Sequence, residues 1–289
     1  MKKYDAPPIS PELTPARRRK LLSAIRSSPT YLRAYQDLNF LAREELRPVR
    51  FQLELLKPEM TLLEHNIHST IVIFGSARVT APTIAQKLLR TAEAAYEKRK
   101  NAETKAALAR ARTAADLSRY YEEARRFSAI VSRASQNDVR REYVINTGGG
   151  PGIMEAANRG AYEAGAKSIG MNITLPHEQD PNPYITPELC LQFHYFALRK
   201  MHMMMRAKAL VLFPGGFGTL DEMFELLTLV QTGKKSRIPI LLFHRPFWNR
   251  VLNFRYLSRM GVINPEDLKL FRYVETAEEA WDVIQAHYD

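Results

Sequence analysis

The feature that most constrains this chain is a change of pattern at residue 70. From there, short apolar runs rich in β-branched residues alternate with stretches of helical composition. The runs are residues 70–74, 143–147, 168–173, 191–194, 209–213 and 238–243. They are too short for buried helices, and their composition favours strands. They are also continuously apolar rather than alternating, as in strands buried on both faces of a parallel sheet. Strands that alternate with helices build right-handed βαβ units. The predicted fold is therefore a doubly wound, Rossmann-like α/β sheet.

Two regions stand apart from that pattern. Residues 1–66 read as a helical arm broken at Pro29, Pro48 and Pro58, with Leu21, Leu22 and Ile25 at near-helical spacing. The arm is expected to pack on the main domain, residues 67–289, or on a neighbouring subunit. Between the first two strands runs a long stretch rich in Ala, Arg, Lys and Glu. Its residues 93–115 hold no Gly or Pro and few large apolar side chains, which predicts an exposed helix or helical hairpin. Leu117, Tyr120, Tyr121, Ala124, Phe127, Ile130 and Val131 make one apolar stripe, so that segment is expected to pack on the sheet. The part before it, about 84–115, then reads as a basic helical insertion.

Ligands of open α/β sheets bind beyond the carboxyl ends of the strands, and three strands here end in glycine-containing turns. The first reads Gly75-Ser76-Ala77-Arg78. The second reads Gly148-Gly149-Gly150-Pro151-Gly152 and runs into Glu155 and Asn158. The fifth reads Pro214-Gly215-Gly216-Phe217-Gly218-Thr219-Leu220-Asp221-Glu222. Glycine lets the backbone approach a ligand, and the amides of a following helix start face an anion. A tight turn alone would explain Gly75, but three clusters on one sheet edge favour phosphate binding.

Each singled-out residue also has a plainer reading. Pro151 suits the first position of a helix, and Glu155 suits the helix dipole. That account leaves three consecutive glycines unexplained, so Gly149, Gly150, Glu155 and Asn158 are kept as binding candidates. Thr219 and Glu222 fit the S/T-x-x-E capping box, which would set the Glu222 carboxylate one turn above the glycine-lined pocket. Arg199 and Lys200 lie on a predicted helix leading into the fifth strand. An arginine there is either a solvated charge or a phosphate ligand. The methionines beside it read as core filler.

Composition trims the alternatives. The formal charge of +11 is uneven, with +4 in residues 1–66, +8 in 67–141 and −1 in 142–289. The excess thus avoids the motif-rich half. It reads as solvated helix faces rather than a nucleic-acid surface. The only cysteine, Cys190, rules out an intramolecular disulfide and a cysteine-rich metal site, and His65 and His68 have no ligand partners nearby. The basic N-terminus lacks an apolar signal region, and no run of apolar residues suits a membrane span, so the expected compartment is the cytoplasm. None of the glycine turns is a dinucleotide fingerprint or a P-loop, and no Gly-x-Ser-x-Gly elbow occurs. Hydride transfer, ATP hydrolysis and elbow-type serine hydrolysis all lose support.

Taken together, Gly148 to Glu155, Arg199-Lys200 and Pro214 to Glu222 resemble the LOG (Lonely Guy) family, whose signature is PGGxGTxxE with an arginine upstream. The resemblance covers roughly residues 71–243. It implies a nucleoside 5′-monophosphate phosphoribohydrolase, an N-glycosidase releasing free base and ribose 5-phosphate from AMP-like nucleotides or cytokinin riboside monophosphates. Many members were formerly labelled lysine decarboxylases. By resemblance, Arg199 and Glu222 are the catalytic pair. The same resemblance makes Gly215, Gly216, Gly218 and Thr219 the phosphate cradle; beside it, Ser76, Lys200 and Pro214 are kept as further candidate substrate contacts. No metal or organic cofactor is implied, and a homodimer or larger homo-oligomer is. The arm and the basic insertion depart from the short members. So does the first turn, where Arg78 offers an extra phosphate or base contact. Outside this class, the alternative is a non-catalytic nucleotide sensor using the same glycines. A pyridoxal-phosphate enzyme would need Lys200 as its Schiff base, and nothing else in the sequence marks it.

Overall fold

The computed structural model describes residues 13–137, 139–174 and 180–289; the first twelve residues of the predicted arm lie outside them. The chain separates into two compact units, residues 1–53 and 54–289. In the first unit, α1 (Pro15–Arg26) is capped by Thr14 and buries none of its residues. Short 3-10 turns and α2 (Leu38–Leu41) follow.

The unit boundary falls within α3 (Arg47–Glu64). The expectation that Pro58 breaks the arm is corrected here, whereas Pro48 does fall where a new helix starts. Pro48 occupies the first turn, where proline's missing N–H is no loss, and Pro58 lies buried inside the helix.

Among the described residues, the second unit is built on seven parallel strands in the order β4-β3-β2-β1-β5-β6-β7. The strands are β1 (Thr70–Phe74), β2 (Val144–Thr147), β3 (Ser168–Ile173), β4 (Cys190–Phe193), β5 (Ala207–Leu212), β6 (Ile240–Phe243) and β7 (Arg272–Val274). Every pairing is parallel. The predicted doubly wound α/β fold is thus observed. All six expected strands form, and the short β7 is an addition. Successive residues feed opposite cores. Ile71, Ile73, Ala209 and Val211 face one apolar cluster, whereas Val72, Phe74, Leu210 and Leu212 face the other. That is why the strand sequences read as unbroken apolar runs.

Between β1 and β2 come α4 (Pro82–Lys98), α5 (Ala102–Leu117) and α6 (Arg119–Ser135). The first two form the expected hairpin. It turns at residues 99–101, where Asn101 and Thr104 make a reciprocal capping box. The hairpin buries little besides Ala85 and Leu108. The expected stripe lies mainly on α6, which buries Tyr120, Tyr121, Ala124, Phe127 and Val131.

The remaining helices are α7 (Ile153–Glu163), α8 (Phe196–Met205), α9 (Phe217–Gln231), α10 (Arg245–Val251), α11 (Phe254–Arg259) and α12 (Ala277–Tyr288). The apolar cluster on one face takes in α6, α7 and α12, and that on the other takes in α8 and α9. From β1 the chain winds outward through β2, β3 and β4, then returns to β5 on the other side of β1. The β1/β5 boundary is therefore the switch point, and the ends of its strands are where the fold leaves a crevice.

Candidate active site

The three glycine turns meet at this switch point and are laced together by their backbones. The Phe213 amide donates to the Phe74 carbonyl at 2.9 Å, that of Ser76 to Pro214 at 3.0 Å, and that of Ile153 to Ser76 at 3.2 Å. The β1 turn and the start of α7 are close enough that a Cβ on Gly75 would sit 2.7 Å from the Ile153 side chain. Gly152, at φ +75, faces the Ser76 carbonyl at a distance that no Cβ could share.

Over these turns opens a cleft of about 580 Å³, a size suited to a small organic ligand. Its lining includes Ser76, Arg78, Arg199, Gly216, Gly218, Thr219 and Glu222 from the sequence-derived set. It also includes Met154, Phe196, Phe217 and Asp221, which the sequence had not marked. Phe196 is 54% exposed and Phe217 91% exposed.

Helix α9 begins at Phe217, two residues ahead of Thr219. Gly216 is the N-cap and makes no side-chain cap bond, so the predicted Thr219/Glu222 capping box is corrected. Thr219 is the third helical residue, and its amide donates to the Gly216 carbonyl at 3.0 Å. The amides of Phe217 and Gly218 open the helix and have no acceptor one turn earlier, which leaves them available to an anion. The Ser76 amide is committed to Pro214. The Ser76 hydroxyl accepts from the Arg78 amide at 3.1 Å, so what Ser76 can still offer a ligand is its O–H.

Glu222 is freed from capping yet buried, at 2% exposure, and its Oε2 has no hydrogen-bond partner among the described residues. Burial raises its proton affinity, moving its pKa to about 7. Lys200 and Arg199 pull the value down, and Glu225 and Asp221 push it up. A buried, unpaired carboxyl that titrates near neutrality can exchange protons with a ligand.

Arg199 is 8% exposed. Burial lowers its pKa, while the nearby Glu222 charge raises it. Its Nε donates to the Met171 carbonyl at 2.7 Å. A Cβ on Gly148 would lie 2.5 Å from its Nη2, so the first glycine of the β2 turn makes room for the guanidinium. The sequence set did not include Gly148.

Helix α8, which carries Arg199, is fixed at both ends by α3. Glu54 accepts from the His194 amide at 2.8 Å and from the Tyr195 amide at 3.2 Å, so its carboxylate caps the positive end of α8. At the other end Arg206 pairs with Glu59. Sequence separations of 140 and 147 residues hid both contacts from local pattern reading.

Other sequence candidates are engaged elsewhere. Asn158 is fully buried. It bonds Thr147 Oγ1 at 2.7 Å, Ser168 Oγ at 3.0 Å and the Ile169 carbonyl at 3.2 Å, tying α7 to β2 and β3. Glu155 accepts from the Tyr121 hydroxyl at 2.8 Å. Gly149, at φ +76, packs against Asn172, and a Cβ on Gly150 would lie 2.9 Å from Met154 Cε. Lys200 pairs with Asp221 and Glu225. Gly215 gives its Cβ space to the Thr219 side chain, whereas a Cβ on Gly216 or Gly218 would meet no protein atom within 4 Å. Among the described residues, no helix is long and apolar enough to cross a membrane.

Comparison with known proteins finds a match of residues 154–284 to the family described as "Possible lysine decarboxylase". The chain is 26% identical over 167 residues to the probable cytokinin riboside 5′-monophosphate phosphoribohydrolase LOGL3 of Oryza sativa subsp. japonica, covering 55% of this chain and 75% of that protein. It is 27% identical over 158 residues to the cytokinin riboside 5′-monophosphate phosphoribohydrolase LOG7 of Arabidopsis thaliana, covering 50% and 71%. Among solved structures, the molybdenum cofactor carrier protein of Chlamydomonas reinhardtii aligns at 13% identity and a TM-score of 0.44, over 76% of this chain and 99% of that one. A likeness that loose carries no argument.

Proposed function

From the resemblance to the LOG family, which the family model and the curated relatives bear out, we propose that this cleft hydrolyses the N-glycosidic bond of a nucleoside 5′-monophosphate. The products are the free base and ribose 5-phosphate. The observation that carries the reading is Glu222, a buried carboxyl with an unpaired oxygen, on the wall of a cleft beside a free helix N-terminus.

The 5′-phosphate sits on the Phe217 and Gly218 amides, where the α9 dipole favours an anion. Arg78 and the Ser76 hydroxyl reach it from the β1 turn. As the C1′–N bond lengthens, its electron pair leaves with the base and the ribosyl group gains oxocarbenium character. Ionised Glu222 lies on the same helix and opposes that positive charge. It also takes the proton of the water that adds to C1′, and the departing base is protonated in exchange. Arg199 orients the nucleotide. Its charge balances the carboxylate, and one such electrostatic contact is commonly worth about 10²–10³ in rate. The same reading takes the enzyme to be a homo-oligomer, with Phe196 and Phe217 beside the cleft as its exposed apolar surface.

Lys200 does not suit the alternative of Schiff-base chemistry. Burial lowers its pKa, but the Asp221 and Glu225 pairings outweigh that and raise it. A nucleophilic amine needs the reverse.

The test is to incubate the purified protein with AMP and a panel of other nucleoside monophosphates, following base and ribose 5-phosphate by chromatography. Release of both in equal amounts supports the reading. Tight binding of an intact nucleotide with no product replaces it with the nucleotide-sensor reading.

A further inference from the structure

Asp221, Glu222 and Glu225 lie within one and a half turns of α9, so three carboxylates share a small patch of helix surface. Two cations arrive from α8, at adjacent positions. Arg199 is turned to the Met171 carbonyl. Lys200 is only 17% exposed, and its Nζ stands 2.9 Å from Asp221 Oδ2 and 2.9 Å from Glu225 Oε2. The lysine therefore takes the two outer carboxylates and leaves the inner one unpaired.

We propose that Lys200 is a positioning residue for the hydrolysis. By holding Asp221 and Glu225 it keeps Glu222 the one uncompensated carboxylate on that turn, and so sets the pH at which Glu222 becomes charged. This assignment rests on the reading of Glu222 given above and replaces a direct substrate contact for Lys200. The charged groups that act on Glu222 are Arg199 and Lys200 from α8 and Asp221 and Glu225 from α9. Arg78, from the β1 turn, lines the same cleft. Without the lysine, two like charges act on Glu222 at close range and Arg199 alone opposes them. Glu222 then holds its proton to higher pH.

The experiment compares the full-length protein with Lys200→Met and Lys200→Arg by two readouts. The first is the pH profile of kcat/KM on whichever nucleoside monophosphate is turned over. The second is thermal stability against pH, which needs no activity. The Glu222 step in it is identified by its disappearance in Glu222→Gln. In Lys200→Met the midpoint of both profiles moves up by roughly one pH unit, and Lys200→Arg keeps it near the original. A folded Lys200→Met with an unmoved midpoint overturns the proposal. Should Lys200→Met not fold, Glu225→Gln carries the test: with one flanking charge gone the midpoint moves down, and an unmoved one overturns the proposal. If no monophosphate is hydrolysed, the activity reading falls, while the stability profile still decides the role of Lys200.

Discussion

The turns after β2 and β5 look alike as sequence, a cluster of glycines followed by a helix, yet they are built for different ends. After β2 the glycines are spoken for by the protein. Gly148 admits the Arg199 guanidinium, Gly149 and Gly152 hold positive φ, and Gly150 makes space for Met154. After β5 only Gly215 is filled from within, by Thr219. Gly216 and Gly218 line the cleft, and no protein atom lies where their side chains would begin. One turn is a joint packed around an arginine. The other, on the function proposed above, is the seat of the phosphate. Counting glycines cannot tell these apart, and asking what a Cβ would touch can.

Four substitutions break or sharpen this contrast. The largest effect is expected at Glu222→Gln, on the β5 side. Turnover should fall by about 10²- to 10³-fold, with the fold intact. The same variant has a signature in stability. Protonated Glu222 gives the folded state an advantage that is fully present below its ordinary value of 4.5 and is lost as pH rises through about 7. That loss is on the order of 3 kcal/mol. Thermal melts of the wild type should therefore show a decline across this window, and melts of Glu222→Gln should not. A decline that persists in the variant assigns it to another group.

Next comes Gly152→Ala on the β2 side. Here a Cβ meets backbone at positive φ, so the expected result is a loss of stability of about 2 kcal/mol or more, read by chemical denaturation. Gly148→Ala is gentler to the fold, because what it meets is the tip of a side chain. Stability should change little while kcat drops roughly 10- to 100-fold as Arg199 is displaced. An unaltered kcat would show that the glycine does not aim the arginine. The smallest effect is expected at Gly218→Ala. Alanine suits a helix better than glycine by about 0.5–1 kcal/mol, so the protein should be slightly more stable. Its KM for a monophosphate should nonetheless rise several-fold. If KM stays put, the seat is not where the phosphate rests.

Much of this was legible in the chain itself. The strand runs were readable because both faces of the sheet are buried, which makes each run continuously apolar. β7 escaped because Arg272–Val274 is three residues long and only Val274 is buried. The switch-point cleft followed from glycines at strand ends. The helix start did not, because Thr219 and Glu222 satisfy a capping spacing that the backbone declines in favour of Gly216. Asn158 and Glu155 carry polar groups suited to binding, and only the fold reveals that Ser168, Thr147 and Tyr121 already use them. Pro58 was misread because a proline that breaks a helix and one buried within it look the same in one dimension.

The grip of α3 on α8 has a consequence for how the site responds to its ligand. A helix clasped just ahead of its first residue by Glu54 and just past its last by Glu59 can neither slide nor tilt without breaking one clasp. On the function proposed above, the guanidinium carried by that helix would already be in register when a nucleotide arrives. What rearrangement the encounter demands then falls to the side chains at the rim, with the charged floor beneath them standing still.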